Sequence, residues 1–312
     1  MESITPTRHN TDTAPDHGQQ KTEWIRTEID ALLLAEMSES TGSQEIAEAL
    51  RFHFEAGGQR LRACLAAQTG LGLGLSTADS LLLGAVCEAL HNASLIHDDI
   101  QDQDATRRGR PSVWVAFGPG VALCAGDFLI SLSYRMLTRL SDKSPLPRLI
   151  DFTHERVART IDGQCGIMPS QDGGRDSMNQ CRQIAADKAG ALIELCLGLP
   201  LIYAGYQDEL SLAHEAGCAF GVGYQMYDDL LDQANDAVKE RQSGPNTVHV
   251  LVNQYGDSAM AHTVAFQGAW QCFCRTCELA NRFPLHSGDA LYALGSHFFK
   301  RLEEIKCQHQ KQ

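Results

Sequence analysis

From Thr22 onward, apolar residues recur about every three or four positions: Trp24, Ile25, Ile29, Leu32 and Leu33, then Ile46, Ala49 and Leu50, then through Leu81 to Ile96. Strand-like alternation is scarce, so the pattern predicts an all-α protein. Gly and Pro clusters punctuate it at Gly57-Gly58, Gly70 to Gly74, Gly109 to Pro111, Gly118 to Gly120, Ser144 to Pro147, Pro169 to Gly174, Gly205, Gly244-Pro245 and Pro284. These breaks divide the chain into about ten helices. None has the composition of a domain linker, and no fixed-period repeat suggests a solenoid. Residues 22–312 therefore read as one helical domain, and the Thr-, His-, Asp- and Gln-rich residues 1–21 as a disordered N-terminal tail.

Composition narrows the function. The chain has 312 residues and a net charge of −13, which disfavours nucleic acid as a partner. The longest apolar stretch, Ala189 to Tyr206, is interrupted by Glu194 and Pro200, so no unbroken membrane span is expected. Eleven cysteines, mostly single in apolar surroundings (Cys64, Cys87, Cys124, Cys196, Cys218), suit reduced core thiols in a cytoplasmic protein. The N-terminus has neither an apolar signal core nor an Arg-rich amphipathic pattern.

Two acidic clusters stand out. Asp98, Asp99 and Asp102 follow one apolar helical run, and Asp228, Asp229 and Asp232 follow another; both read DDxxD. On a helix, residues four apart share a face, so Asp98 stacks on Asp102 and Asp228 on Asp232. Like charges held together at the mouth of an apolar cavity call for a divalent cation, and hard oxygen ligands suit Mg²⁺. A solvated acidic face is the plainer reading of either cluster alone.

Cations flank these carboxylates. Arg107, Arg108 and Arg110 follow the first cluster directly, and Arg60 and Arg62 open a helix after Gly57-Gly58. Guanidinium forks match phosphate oxygens, and a helix start adds free N–H groups. Lys188 precedes the apolar run Ala189 to Leu199 and could reach inward. Carboxylates for Mg²⁺ beside cations for phosphate, above apolar helices, describe a diphosphate carrying a hydrocarbon tail.

These residues resemble the trans-isoprenyl diphosphate synthases, or polyprenyl synthetases, from about Gly57 to Gly256. The strongest stretches are EALHNASLIHDDIQDQDATRRGR (Glu88 to Arg110) and GYQMYDDLLD (Gly223 to Asp232). The resemblance implies the isoprenoid synthase fold, a single large helical bundle around a deep apolar cavity, usually a homodimer. It assigns about three Mg²⁺ ions to Asp98, Asp102 and Asp228, with Asp232 in support and Asp99 nearby. Arg107, Lys188 and Gln225 would hold an allylic diphosphate. Arg62, His91 and Arg108 would hold isopentenyl diphosphate, beside Gln59. The implied reaction ionises the allylic C–O bond, and the isopentenyl double bond attacks the resulting cation.

The chain departs from that pattern in four places. Gln59 stands where the family has Lys, Ile167 where it has Asp, and Ala189 where it has Thr; the segment 233–246 lacks a Gly-Lys pair. Loss of one charge-assisted hydrogen bond costs about 1.5–3 kcal/mol, so isopentenyl diphosphate should bind more weakly. Two other readings stay open: an enzyme that ionises an allylic diphosphate without ordinary coupling, and a binding or regulatory subunit of a prenyl synthase. Ala93 and Ser94, one turn above Asp98, are small, so the cavity should continue past them to Leu90 and Val86 and admit products of about C20 or longer. Cys272, Cys274 and Cys277 form CxCxxC, with Cys307 and His309 as further metal candidates, but helical spacing turns the three to different sides.

Overall fold

The computed structural model describes residues 17–165, 175–235 and 247–309. Among these, thirteen α-helices follow one another: α1 His17–Ser40, α2 Gln44–Glu55, α3 Leu61–Gly72, α4 Thr77–Gln101, α5 Val113–Phe117, α6 Pro119–Leu137, α7 Leu146–Gln164, α8 Arg175–Ala185, α9 Ala191–Tyr203, α10 Leu210–Asn235, α11 Thr247–Tyr255, α12 Ser258–Ala280 and α13 Asp289–His309. The expected count of about ten falls short because α5 is a single short helix and a π-turn, Ala186–Gly190, separates α8 from α9. The first helix starts at His17 rather than Thr22, inside the segment expected to be a tail.

Local sequence explains most of the ends. Ser43 Oγ accepts from Ile46 N (3.4 Å) and Ser76 Oγ from Asp79 N (3.1 Å), capping α2 and α4. Asp257 caps α12 in the same way. Pro200, by contrast, does not end its helix: α9 runs through it to Tyr203. Thr106–Arg107 and Arg110–Pro111 form a two-residue antiparallel ladder, with Arg108 and Gly109 both at positive φ (53° and 75°), the backbone of a tight hairpin.

Helix α4 lies at the centre, packed by α6, α3, α1 and α9; α10 packs on α12, α9 and the π-turn. Ile25, Ile29 and Leu33 of α1, Leu83 and Val86 of α4, and Leu195 to Leu197 of α9 are fully buried, which makes one continuous core. Helix α6 is long and apolar enough by composition to cross a membrane, although it contains Asp127 and Arg135; here it packs on α4.

A buried polar chain fastens α1, α2, α3 and α4. Asn92 Nδ2 donates to Glu88 Oε1 (3.0 Å), so its Oδ1 accepts from His53 Nε2 (2.9 Å). Glu88 also lies 3.6 Å from Arg60, whose Nε donates to Asp30 (2.7 Å). Burial lowers the His53 pKa from 6.5 to about 4. Between those values the unfolded chain takes a proton that the folded chain refuses. Stability should therefore fall as pH drops through this window, by up to about 3 kcal/mol. Thermal unfolding from pH 7 to 4.5 should show a flatter dependence for His53→Gln; parallel curves would exclude His53 as the source.

Candidate active site

The first acidic cluster sits at the C-terminal end of its helix, and the second lies within the last three turns of α10. Asp98 and Asp99 occupy the last turn of α4, and Asp102 is its C-cap; Asp228 and Asp229 precede the end of α10. Neither helix has a basic residue in its last turn. A helix C-terminus carries the negative end of the macrodipole, so carboxylates there are disfavoured unless cations offset them. That unmet demand for positive charge is the first mark of the site.

Lys188 meets part of it. Its Nζ lies 3.3 Å from Asp98 Oδ2, which joins the π-turn to the end of α4. Burial pushes the Asp98 carboxyl up, Lys188 pulls it down, and Asp102 pushes it up again. Asp102 and Asp228 are exposed at the rim. Burial, and then Asp228, push the Tyr224 phenol up, while Arg62 acts the other way. Tyr224 thus lies between the second acidic cluster and Arg62 of α3.

The middle aspartates behave differently from their neighbours. Asp99, expected near the metal, is 1 % exposed and turned inward, where Arg107 Nε donates to its Oδ1 at 2.9 Å. One residue on a helix rotates the side chain by about 100°, so Asp98 and Asp99 cannot share a face. Asp229 is likewise buried; it accepts from Gln225 Nε2 (2.9 Å) and from Thr247 N (2.7 Å), which ties the start of α11 to α10. Arg107 and Gln225, expected at the diphosphate, therefore give hydrogen bonds to carboxylates in this structure. Asp232 lies on α10, but its side chain is outside the described residues, as are Ile167 and residues 236–246.

The second group of cations gathers around Gly57-Gly58. Arg62 Nη1 donates to His91 Nε2 (3.1 Å), leaving the His91 proton on Nδ1, which is buried without a partner. Burial and Arg62 keep His91 neutral, well below its ordinary pKa. It reaches the site by orienting Arg62. Arg108 donates to the Gly57 carbonyl, and its guanidinium fills the space a side chain at Gly58 would need. Gly58 at φ 139° is required on both counts. Among the described residues, neither Arg62 nor Arg108 has a carboxylate partner, as an anion site requires. Gln59 is exposed on the same loop, whereas Arg60 is buried and committed to Asp30 and Glu88.

An apolar crevice beside Arg62, lined by Leu61, Ala189, Ile193, Phe220, Tyr224 and Leu294, encloses about 30 Å³. Phe220 and Tyr224 stack on each other and pack edge-on against Phe298. Ala93 is buried and Ser94 half-buried, its Oγ donating to His91 O (2.8 Å). The CxCxxC residues are helix packing: Cys272 lies on Gly223 and Cys277 Sγ is 3.7 Å from Ser296 Oγ. Among the described residues no three His, Cys, Asp or Glu side chains converge to chelate an ion alone.

Sequence reasoning missed the π-turn that presents Lys188, the inward turn of Asp99 and Asp229, and the chain His53–Asn92–Glu88–Arg60. The helical period could have separated Asp98 from Asp99. Nothing local announces the others.

Residues 43–244 match the family model described as polyprenyl synthetase, and the chain belongs to that family. It is 29% identical over 222 residues to a geranylgeranyl diphosphate synthase of Methanosarcina mazei, covering 70% of this chain and 67% of that protein. A geranylgeranyl diphosphate synthase of Mycobacterium tuberculosis is 33% identical over 175 residues, covering 56% of this chain and 50% of that protein. The matched part thus spans about half to two thirds of these relatives. The crystal structure of a decaprenyl diphosphate synthase from Rhodobacter capsulatus superimposes with a TM-score of 0.77 at 21% identity, covering 92% of this chain and 99% of that one. This likeness establishes the isoprenoid synthase fold.

Proposed function

We propose that the protein is a Mg²⁺-dependent prenyltransferase that joins an allylic diphosphate to isopentenyl diphosphate, releasing diphosphate. One observation carries the reading: the carboxylate-rich end of α4 meets Lys188, while Asp228 of the second cluster and Arg62, which has no acidic partner among the described residues, both act on Tyr224. The donor set fits hard divalent ions, because paired carboxylates against the dipole leave a charge deficit and supply only part of a coordination shell. Asp98, Asp102 and Asp228 would hold the ions, with Asp232 in support. Bound there, Mg²⁺ would stabilise the negative charge that develops on the departing diphosphate.

The chain's own groups do the rest. Lys188, with Arg107 and Gln225 released from their carboxylates, binds the allylic diphosphate; Arg62 and Arg108 bind the isopentenyl diphosphate, with His91 behind Arg62. The allylic C–O bond breaks and the isopentenyl double bond forms the new C–C bond. The proton lost from the product passes to the released diphosphate.

The deciding experiment is product analysis with dimethylallyl, geranyl and farnesyl diphosphates, each with and without isopentenyl diphosphate, in Mg²⁺. Longer prenyl diphosphates only when both substrates are present support the reading. Diphosphate release from the allylic substrate alone would favour the ionising enzyme, which the neutral Gln59 makes the nearest competitor. Products of about C20 or longer are proposed from the small Ala93 and Ser94. Ala93→Phe should then shorten the product, and an unchanged product length would reject that role.

A homodimer is proposed as well; Leu123 and Ile161, about half exposed at 53% each, offer apolar surface on α6 and α7. A cytoplasmic location accords with the ten described cysteines, all unpaired.

A further inference from the structure

The helical rod from Arg175 to Tyr203 is not uniform: its π-turn, Ala186–Gly190, carries Asp187 and Lys188 in succession. Glycines let neighbouring helices touch this turn at backbone distance. A Cβ on Gly163 of α7 would lie 2.6 Å from Lys188 N, and one on Gly221 of α10 would lie 2.4 Å from Gly190 N. Such contacts locate the turn. They do not fix its register, because a π-turn holds one residue more than an α-turn needs and can relax.

What spans the turn is Arg159 of α7. Its Nη2 and Nε donate to Asp187 Oδ1 at 2.8 and 3.2 Å, and its Nη1 donates to Glu194 Oε2 at 2.7 Å. Asp187 lies within the π-turn and Glu194, 1% exposed, one turn into α9, so a single guanidinium staples both sides of the bulge. Gln183 Nε2 holds the other Asp187 oxygen at 2.8 Å. The next residue, Lys188, points elsewhere, to Asp98.

We infer that Arg159, through Asp187, is a positioning residue that holds the π-turn in the register aiming Lys188 at the diphosphate site. The inference rests on the role of Lys188 proposed above. Slipping the turn by one residue would swing Lys188 by about 100° and take its ammonium away from Asp98.

Arg159→Gln and Asp187→Asn test it in the full-length enzyme; the second variant leaves the Glu194 partners in place should the first fail to fold. KM for the allylic diphosphate is expected to rise about tenfold, the size of one lost charge-assisted hydrogen bond, with KM for isopentenyl diphosphate unchanged. Arg159→Lys should recover part of the loss. In a Lys188→Ala background neither substitution should have further effect, and amide exchange at residues 186–190 should quicken in both single variants. A purely structural Arg159 would lower the active fraction, leaving both KM values unchanged. That result, or effects that multiply with Lys188→Ala, or unchanged exchange, would overturn the inference. If Lys188→Ala itself left catalysis untouched, the functional reading would fall, while the exchange rates would still decide whether Arg159 holds the turn.

Discussion

Replacing Asp98 by alanine is expected to lower diphosphate release by about 10²–10³-fold, the usual cost of removing one preorganised electrostatic group. Asp98 is half-buried at the negative end of α4, and burial and Asp102 both push its carboxyl up, against the pull of Lys188. Its charge is therefore tolerated for function rather than for folding. The thermal midpoint of Asp98→Ala should match or exceed that of the parent, since the substitution removes a like-charge contact. Steady-state release of diphosphate and thermal unfolding, measured side by side, check the two halves. Activity within about threefold of the parent would leave no role for the first cluster in ionisation.

Removing Glu88 should do the reverse, costing stability of about 3–5 kcal/mol, as breaking a buried ion pair does. Glu88 is 1% exposed, receives Asn92 and the Ala63 N–H (3.4 Å), and faces Arg60, which is itself 4% exposed. Glu88→Ala would leave Asn92 and Arg60 without one partner each in a dry core. Guanidinium unfolding of Glu88→Ala gives the number directly, and a loss under about 1 kcal/mol would show that Asp30 and the Gly57 and Phe54 carbonyls satisfy Arg60 without it. Isopentenyl affinity should weaken with it, because Arg60 also donates to the Gly57 carbonyl (3.1 Å) that receives Arg108.

Much of this site was legible before any coordinates. The stacking of Asp98 and Asp102 at the end of α4, and the arginines directly behind them, were anticipated from the sequence, because each depends on a local period or on chain adjacency. Asp99 and Asp229 were not: belonging to a DDxxD word says nothing about which side of the helix faces the core, and both face inward.

By itself the amino-acid order determined that this chain is helical, that two carboxylate pairs line up on helix faces, and that cations flank them. These follow from the helical repeat and from Gly and Pro, which act over a few residues. Only tertiary structure decided that Lys188 meets Asp98, that Arg159 grips Asp187, and that Glu88, Asn92 and His53 close one buried chain. Such pairings join helices distant in sequence, and they depend on which faces pack together, a choice made by the burial of the whole core.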